Sequence, residues 1–298
     1  MATASFQLPP PSALSPISSM LAKTVPHPEG TSVAGQTAII TGANAGLGFE
    51  AAKQFLALGL TRLILGVRNN DKGETAAAEL RKLHPSATIE VWLLDMLSYE
   101  SVQEFAAQCA NLEKLDIVIL NAGAMAEKPI PGPEGHEKAF QVNYLSTVLL
   151  AHLLLPTLKA KAATGKPGRL TLVNSASAYM AKFPKRDVKP FLPTFADSQG
   201  WDPVEAYTAS KALAHLWIVK LAEKVRREDV VVNIVDPGFC KGTGLHRDLT
   251  GANKVVFAVL KPLTGRSMAA GASTYIHAAV VSGPESHGSF LMDWKIGS

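Results

Sequence analysis

The segment from Thr37 to Leu58 constrains the fold more than any other stretch, because it joins a short apolar strand, a glycine-rich turn and a helical pattern. The turn places glycines at Gly42, Gly46 and Gly48, with the spacing Gly-x-x-x-Gly-x-Gly. Such a turn lets the backbone approach a pyrophosphate, while the helix offers free N–H groups and a partial positive charge. The segment predicts a phosphate-binding crossover. The alternative is that the glycines only allow a tight turn.

Strand and helix patterns alternate along the residues that follow. Short apolar runs predict strands at Arg62–Val67, Thr88–Leu94 and Asp116–Leu120, and helical patterns fill the intervals between them. This alternation is typical of βαβ units, so we expect an α/β fold built on a doubly wound parallel sheet flanked by helices. Ligands of such sheets bind at the carboxyl ends of the strands.

Two cations follow the second strand, at a position that discriminates between dinucleotides. In NAD sites an acid at this position bonds the adenosine ribose, whereas a cation can accept the 2′-phosphate of NADP. This chain carries Arg68 and Lys72 there. They predict NADP(H) as the cofactor. The alternative is that both are solvated surface cations.

The next two strand ends carry further candidates. Asp95, which Met96 follows, ends the third strand, where its carboxylate would reach the adenine amino group. The alternative is that Asp95 caps the helix that starts near Ser98. The sequence Asn-Ala-Gly at residues 121–123 ends the fourth strand, and its small residues would let the backbone pass beside a ribose and a nicotinamide.

Tyr207 and Lys211 lie four residues apart on a helical pattern and therefore share one face of the helix. An ammonium one turn away favours the phenolate and lowers the tyrosine pKa from its unperturbed value of about 10. The pair predicts a general acid for a reaction that forms an alkoxide, or a base for the reverse reaction. The alternative is a packed ring beside a solvated amine, because this spacing also arises by chance.

The bulk composition argues against several classes of protein. The 298 residues are 47% hydrophobic and carry a net charge of +4, and no long basic run suggests a nucleic-acid or lipid surface. With two cysteines, a disulfide framework or a Cys-rich metal site is not expected, and a reducing compartment such as the cytoplasm is. The apolar stretch Tyr144–Leu155 is shorter than a bilayer span, so no membrane span is predicted.

Residues 1–33 have the composition of a flexible extension. They contain six prolines and many Ser and Thr residues, with little periodicity apart from a short helical pattern at Ile17–Lys23. No long apolar region typical of a signal peptide is present. We therefore expect one folded domain at residues 34–298.

Three motifs in this order resemble the short-chain dehydrogenase/reductase family, namely the glycine turn, the Asn-Ala-Gly sequence and the Tyr-x-x-x-Lys pair. The resemblance extends from about residue 33 to the C-terminus. It implies a single Rossmann-type catalytic domain of about seven parallel strands, a nicotinamide cofactor and a catalytic set of Asn, Ser, Tyr and Lys. The implied catalytic residues are Asn143, Ser175, Tyr207 and Lys211, with Ser177 as the alternative serine.

Later segments extend the resemblance. Pro237 and Gly238 match the turn that the family lays against the nicotinamide, and Thr243 lies one residue beyond the usual threonine position. Residues 243–268 are expected to form a lid with an apolar face over the substrate. The interval between the catalytic serine and tyrosine is long and predicts a flap beside the site. These features are similar to retinol-dehydrogenase-like reductases and to reductases of fungal secondary metabolism.

The resemblance implies an oxidoreductase in which Tyr207 supplies a proton. We expect NADPH-dependent reduction of a ketone or aldehyde on a hydrophobic small molecule, such as a polyketide. Three alternatives are NADP-linked oxidation of a secondary or allylic alcohol, a non-redox dehydration or cyclisation, and a cofactor-binding regulator without turnover. A homodimer is expected from the family, with a monomer as the alternative. The predicted cofactor contacts are Gly42, Asn44, Gly46, Leu47, Gly48, Arg68, Lys72, Asp95, Met96, Asn121, Ala122, Gly123, Tyr207, Lys211, Pro237, Gly238 and Thr243.

Overall fold

The computed structural model describes residues 23–163, 165–244 and 265–297, and its strands form one sheet. The strands are β1 (Thr37–Thr41), β2 (Arg62–Val67), β3 (Thr88–Leu93), β4 (Ile117–Leu120), β5 (Gly168–Val173), β6 (Val230–Val235), β7 (Phe290–Met292) and β8 (Lys295–Ile296). They are ordered β3-β2-β1-β4-β5-β6-β7-β8. Strands β1 to β7 pair in parallel. The predicted doubly wound parallel sheet is confirmed.

An eighth strand is present where the family resemblance implies about seven. Strand β8 folds back antiparallel on β7 and pairs Leu291 with Ile296. The two residues between the strands, Asp293 and Trp294, have φ values of 53° and 61°. Positive φ at both positions is the geometry of a type I′ hairpin turn, which normally selects Asn-Gly or Asp-Gly. The Asp-Trp sequence therefore gives no recognisable hairpin signal.

Six helices in the described residues cover the two faces of the sheet. They are α1 (Gly46–Ala57), α2 (Asn70–Leu83), α3 (Tyr99–Ala110), α4 (Lys138–Lys161), α5 (Pro203–Ala222) and α6 (Met268–Val281). Helices α1, α2 and α6 pack in one apolar cluster with one face, and α3, α4 and α5 pack in a second cluster with the other. The strand order reverses between β1 and β4, so the crevice at their carboxyl ends is the expected ligand site.

Helix α4 is longer and more apolar than the sequence interpretation allowed. It runs for 24 residues and, by length and composition alone, is long enough to cross a membrane. Its polar residues Ser146 and Thr147 are buried rather than placed at a helix end. Because 56% of its apolar window is buried inside the domain, packing against the sheet accounts for its composition.

The two chain segments expected at the edges of the domain are only partly described. Residues 1–22, with most of the predicted extension and of its short helix, lie outside the described residues, as do 245–264 of the predicted lid. The end of the extension packs on the domain, since the Val33 N–H donates to the Leu58 carbonyl at 3.0 Å. The His27 ring lies 5.0 Å from that of His277 on α6.

Candidate active site

The glycine turn between β1 and α1 has the geometry of a phosphate cradle. Gly42 and Gly46 have φ values of 67° and 61°, which favour glycine. A Cβ on Gly48 would lie 2.6 Å from Asn121 Nδ2 and 2.8 Å from the Gly42 oxygen, whereas a Cβ on Gly46 would meet nothing within 4 Å. Helix α1 begins there, and no side chain caps it. Its first N–H groups therefore have no side-chain cap as acceptor, which fits a dinucleotide pyrophosphate.

The Asn121 side chain holds the glycine turn in place through hydrogen bonds. Its Nδ2 donates to the Thr41 carbonyl at 2.8 Å, and its Oδ1 accepts from the Tyr275 hydroxyl at 2.9 Å. The Thr41 hydroxyl in turn accepts from the Ala122 N–H at 2.9 Å. The Asn121 side chain thus clamps the end of β4 to the cradle, which leaves the backbone of residues 122 and 123 as the surface beside the expected ribose.

The predicted cations lie at the carboxyl end of β2. Arg68 and Lys72 are exposed, and neither forms an ion pair within the described ranges. Asn69 between them caps α2, because its side chain accepts from the Lys72 N–H at 2.8 Å. The cap starts the helix at this point and places both cations at the sheet edge that carries the cradle. Asn44 and Leu47 of the turn are half-buried.

The hydrogen bonds at the carboxyl end of β3 bear on the two roles predicted for Asp95, a cofactor contact and a helix cap. Ser98, not Asp95, caps α3, since its Oγ accepts from the Ser101 N–H at 3.1 Å. Asp95 instead accepts from the Leu97 N–H at 2.9 Å in a local turn. Met96 is buried in the cluster under α3, so its side chain belongs to the core. Cofactor contact by Asp95 stays a prediction.

Asn143 lies in a π-helical turn, Gln141–Leu145, inside α4. Its Oδ1 accepts from the Ala124 N–H at 2.8 Å, and its Nδ2 donates to the Ala124 carbonyl at 2.8 Å and to Ser210 Oγ at 3.0 Å. The side chain is buried and its hydrogen bonds join the loop after β4 to α5. Turns of this type are frequent at functional sites.

Ser175, Tyr207 and Lys211 converge at the carboxyl end of β5. Ser175 hydrogen-bonds to Tyr207 and accepts from the Ser177 hydroxyl at 2.9 Å. Lys211 Nζ lies 5.9 Å from the Tyr207 ring centroid and donates to the Val173 carbonyl at 3.2 Å. The two candidate serines therefore have different positions: Ser175 contacts the tyrosine, and Ser177 donates a hydrogen bond to Ser175.

The Gly123 backbone closes this cluster on the side of β4. A Cβ at this position would lie 3.4 Å from Asn143 Oδ1 and 3.7 Å from Lys211 Nζ. The sheet edge, the π-helical turn and α5 thus meet at one point. All four implied catalytic residues surround the end of β4 or β5, although they are separated by up to 68 residues of sequence.

Burial dominates the electrostatics of the tyrosine–lysine pair. It raises the pKa of Tyr207, the nearby Asp236 carboxylate raises it further, and the hydrogen bond with Ser175 opposes both. Burial also lowers the pKa of Lys211 to about 8, against the effect of Asp236. The sequence argument expects Lys211 to lower the tyrosine pKa, but the net shift is upward, because desolvation of the phenolate and the Asp236 carboxylate dominate.

Sequence reasoning missed Asp236 as a site residue, although it begins the Asp-Pro-Gly motif. Its side chain is buried, and Oδ1 accepts from the Gly238 N–H at 3.0 Å. Burial raises the pKa of this carboxyl to about 6. Its charge influences both Tyr207 and Lys211. A carboxyl at the end of a buried apolar strand was the available signal.

Arg266, the second missed residue, packs under the Pro-Gly turn. Its Nη1 donates to the Pro237 carbonyl at 3.3 Å, and a Cβ on Gly238 would lie 2.7 Å from the same nitrogen. The guanidinium also pairs with Asp293 and lies 4.8 Å over the Trp294 ring. Only long-range packing brings Arg266 to this turn, so no local pattern predicts it.

Thr243 lies at the edge of the described residues. Its hydroxyl donates to the Cys240 carbonyl at 3.4 Å. This bond folds the start of the predicted lid back towards the Pro-Gly turn. Contact between Thr243 and a cofactor stays a prediction.

Comparison with known proteins identifies the family. The family model for short chain dehydrogenases matches residues 36–184. The chain belongs to the short-chain dehydrogenase family. Membership makes it an oxidoreductase that uses a nicotinamide cofactor, in agreement with the cradle and the catalytic cluster.

Fungal relatives match this short-chain dehydrogenase over most of its length. The short chain dehydrogenase/reductase mfmJ of Annulohypoxylon moriforme is 51% identical over 271 residues, covering 90% of this chain and 79% of that protein. The short chain dehydrogenase opdN of Penicillium oxalicum is 42% identical over 288 residues, covering 93% and 92%.

A solved structure matches the fold. It is a gluconate 5-dehydrogenase from Burkholderia cenocepacia J2315, in complex with NADP and tartrate. The match has a TM-score of 0.67 and 19% identity, and it covers 87% of this chain and 94% of that one. At this identity the likeness shows the fold alone.

Proposed function

We propose that this short-chain dehydrogenase reduces a ketone or aldehyde on a hydrophobic small molecule, with NADPH as the reductant. The observation that carries the proposal is the convergence of Ser175, Tyr207 and Lys211 beside a glycine cradle that fits a dinucleotide. A binding module without turnover has no need of a buried proton donor.

The proposed mechanism assigns one task to each side chain. The chemistry that a bound nicotinamide supplies is hydride transfer to the carbonyl carbon. Tyr207 donates its proton to the oxygen of the forming alkoxide, and Ser175 donates a hydrogen bond to the same oxygen. Lys211, held by the Val173 carbonyl, places a positive charge behind the tyrosine. Asn143 fixes the loop after β4 against α5.

The pKa of Tyr207 favours reduction over alcohol oxidation. Because burial and Asp236 raise this pKa, the phenol keeps its proton near neutral pH. A protonated phenol is the form that a general acid needs, whereas oxidation needs the phenolate as base. The same residues catalyse both directions in principle, so alcohol oxidation is the weaker candidate.

The preference for NADPH rests on the end of β2. Arg68 and Lys72 are exposed cations at the sheet edge where the adenosine ribose of a dinucleotide lies. A guanidinium can bond phosphate oxygens in pairs, which suits a 2′-phosphate. The predicted contacts of Asn44, Leu47, Asp95, Met96, Asn121, Pro237, Gly238 and Thr243 are part of the same proposal.

The substrate class, the location and the assembly are inferred from weaker features. Apolar residues such as Leu249 and Phe257 in the predicted lid suit a hydrophobic substrate, and the fungal relatives suit a secondary metabolite such as a polyketide. Two buried cysteines that form no disulfide suit the cytoplasm. We also propose a homodimer in which the exposed Leu216 on α5 lies at the interface. A molar mass of 31.6 kDa by light scattering, rather than twice that value, would contradict the homodimer.

The experiment is a fluorescence titration of the full chain with NADPH, NADH, NADP and NAD, with Arg68→Ala in parallel. We expect tight NADPH binding that the substitution weakens by about tenfold or more, since a charged hydrogen bond is worth about 1.5–3 kcal/mol, and little change for NADH. Arg227→Ala, in an exposed turn far from β2 in sequence, is the matched control. Equal weakening of NADPH and NADH binding in Arg68→Ala would contradict the phosphate role of Arg68. If the parent chain bound none of the four nicotinamide cofactors, the proposed reductase function would be contradicted.

A further inference from the structure

Tyr275 of α6 is a buried tyrosine that hydrogen-bonds to the residue directly after β4. Its side chain is 0% exposed, and its hydroxyl donates to Asn121 Oδ1 at 2.9 Å, across 154 residues of sequence. Burial raises the pKa of Tyr275 well above its usual range, so the hydroxyl keeps its proton and remains a donor. Among the described residues, Tyr275 alone donates to this oxygen.

The other end of the Asn121 amide faces the glycine turn. Its Nδ2 donates to the Thr41 carbonyl at 2.8 Å and to the Gly42 carbonyl at 3.4 Å. An amide has one donor end and one acceptor end, so these two carbonyls orient Oδ1 away from the turn. Tyr275 supplies the donor that Oδ1 then needs, and water cannot take its place because the tyrosine is fully buried.

The amide and the glycine turn are packed too closely to move separately. A Cβ on Gly48 would lie 2.6 Å from Asn121 Nδ2, and a Cβ on Gly42 would lie 3.3 Å from the same nitrogen. The turn leads directly into α1, whose first N–H groups are the proposed pyrophosphate ligands. A displacement of the amide therefore displaces the groups that are proposed to bind the cofactor.

Two further contacts fix α6 against the cradle. The Gln54 side chain of α1 donates to the Ala269 carbonyl at 2.9 Å. A Cβ on Gly271 would lie 2.9 Å from Leu47 Cδ2, so α6 and α1 approach closely here. Because these contacts hold α6 in place, it cannot shift to compensate for the loss of one oxygen atom at Tyr275.

We propose that Tyr275 is a positioning residue for the cofactor. Its hydroxyl holds the Asn121 amide, and the amide holds the glycine turn in the form that binds the pyrophosphate. The inference rests on the proposed nicotinamide-dependent function and deepens it, since it assigns part of the cofactor affinity to a residue that acts through Asn121. The pyrophosphate is common to NADPH and NADH, so Tyr275 affects both, whereas the proposed role of Arg68 concerns the 2′-phosphate alone.

The test is Tyr275→Phe, which removes one oxygen and keeps the ring. We expect the Kd values for NADPH and NADH to rise by the same factor, about tenfold, because Oδ1 of Asn121 loses its donor. Thr274→Val is the matched control. It removes a buried hydroxyl of the same helix whose bond to the Gly271 carbonyl, at 2.7 Å, stays within α6, so both Kd values should remain unchanged. Fluorescence titration measures the affinities, and denaturant unfolding shows that both variants are folded.

Three further measurements separate positioning from a general loss of stability. Without cofactor, amide hydrogen exchange over residues 42–48 should be faster in Tyr275→Phe and unchanged in Thr274→Val. With a ketone substrate, the KM for NADPH should rise while kcat at saturating NADPH stays within about twofold of the parent, because the proton donor is intact. In an Asn121→Ala background, Tyr275→Phe should weaken NADPH binding no further.

The inference and the proposed function fail in different ways. Unchanged affinities in folded Tyr275→Phe, an equal loss in Thr274→Val, or additive effects with Asn121→Ala would overturn the role of Tyr275 and leave the function standing. A parent chain that binds no nicotinamide cofactor would overturn the function, and the role of Tyr275 with it.

Discussion

Tyr207 shows how the surroundings of one residue set its role. A tyrosine with an unperturbed pKa of about 10 is already protonated at neutral pH, and burial strengthens that preference here. In the proposed reduction, Ser175 and Lys211 act on a phenol that releases its proton only to a growing alkoxide. The site is therefore arranged for an acid that responds to charge developing on the substrate.

Removing the Tyr207 hydroxyl should lower kcat by about two to four orders of magnitude, because the proton donor is lost while the ring remains. The measurement is the steady-state rate of Tyr207→Phe with a ketone substrate, together with its NADPH affinity, which we expect to change little. Tyr99→Phe, on α3 and outside the catalytic cluster, serves as the matched control. An unchanged rate in Tyr207→Phe would contradict the assignment of the general acid.

Two glycines of the cradle should fail in different ways when replaced by alanine. In Gly48→Ala the new Cβ meets the Gly42 backbone and Asn121, and we expect destabilisation by about 1–3 kcal/mol. In Gly46→Ala the Cβ faces open space, so the free energy of unfolding should fall by about 1–2 kcal/mol from the positive φ alone. We expect Gly46→Ala to lose more cofactor affinity than Gly48→Ala. Denaturant unfolding and cofactor titration of both variants separate these effects. Equal affinity of Gly46→Ala and the parent would contradict the phosphate role.

At the scale of elements, helix starts position most of the site. Helix α1 starts without a side-chain cap and leaves its N–H groups for a ligand, whereas α2, α3 and α5 each have a side-chain cap. In α5, Asp202 accepts from the Glu205 N–H at 2.6 Å and Pro203 takes the first helical position. This start fixes the helix register, and with it the face that carries the tyrosine and the lysine.

The cap of α3 provides a test that separates stability from cofactor binding. Ser98→Ala removes the acceptor for the Ser101 N–H, and we expect a loss of about 1 kcal/mol of unfolding free energy with unchanged NADPH affinity. Asp95→Asn keeps an acceptor for the Leu97 N–H, so stability should change little while the affinity falls. Calorimetry and cofactor titration give both quantities. Weaker NADPH binding by Ser98→Ala at constant stability would contradict this division.

At the scale of the whole molecule, the sheet places a buried carboxyl beside Tyr207, the proposed proton donor. Asp236 directly follows strand β6, and the packing of the β7–β8 hairpin brings Arg266, Asp293 and Trp294 against the turn there. The carboxyl is then far from water, which raises its pKa to about 6. Folding therefore depends on the protonation of this group.

The sign of that dependence follows from the direction of the shift. The folded pKa of Asp236 is about 6 and the unfolded value is about 3.9, so between them the folded state binds more protons. The protonated carboxyl contributes its full share to the free energy of unfolding below about pH 4. As the pH rises through about 6, the free energy of unfolding falls by up to about 3 kcal/mol. Asp236→Asn should remove this loss. Urea unfolding at about pH 4 and about pH 7 measures it, and a parent–variant difference that is the same at both pH values would contradict it.

The sequence by itself determined the features that depend on short stretches of chain. The glycine spacing predicted the cradle, since positive φ and close approach are local demands, and the alternation of apolar runs predicted the parallel sheet and its first four strands. The four-residue spacing from Tyr207 to Lys211 predicted their common helix face, because the helical period is local. These patterns also carried the family resemblance that the family model confirmed.

The tertiary structure alone decided what depends on distant packing. Burial raised the pKa of Tyr207, where the sequence argument expected a lower value. The packing of distant segments placed Arg266 under the Pro-Gly turn and paired β8 with β7 through a turn with no glycine. It also enclosed Glu137, whose unpaired oxygen has no sequence signature. Desolvation and side-chain pairing depend on which distant segments meet, so they follow from the folded chain and not from any local pattern.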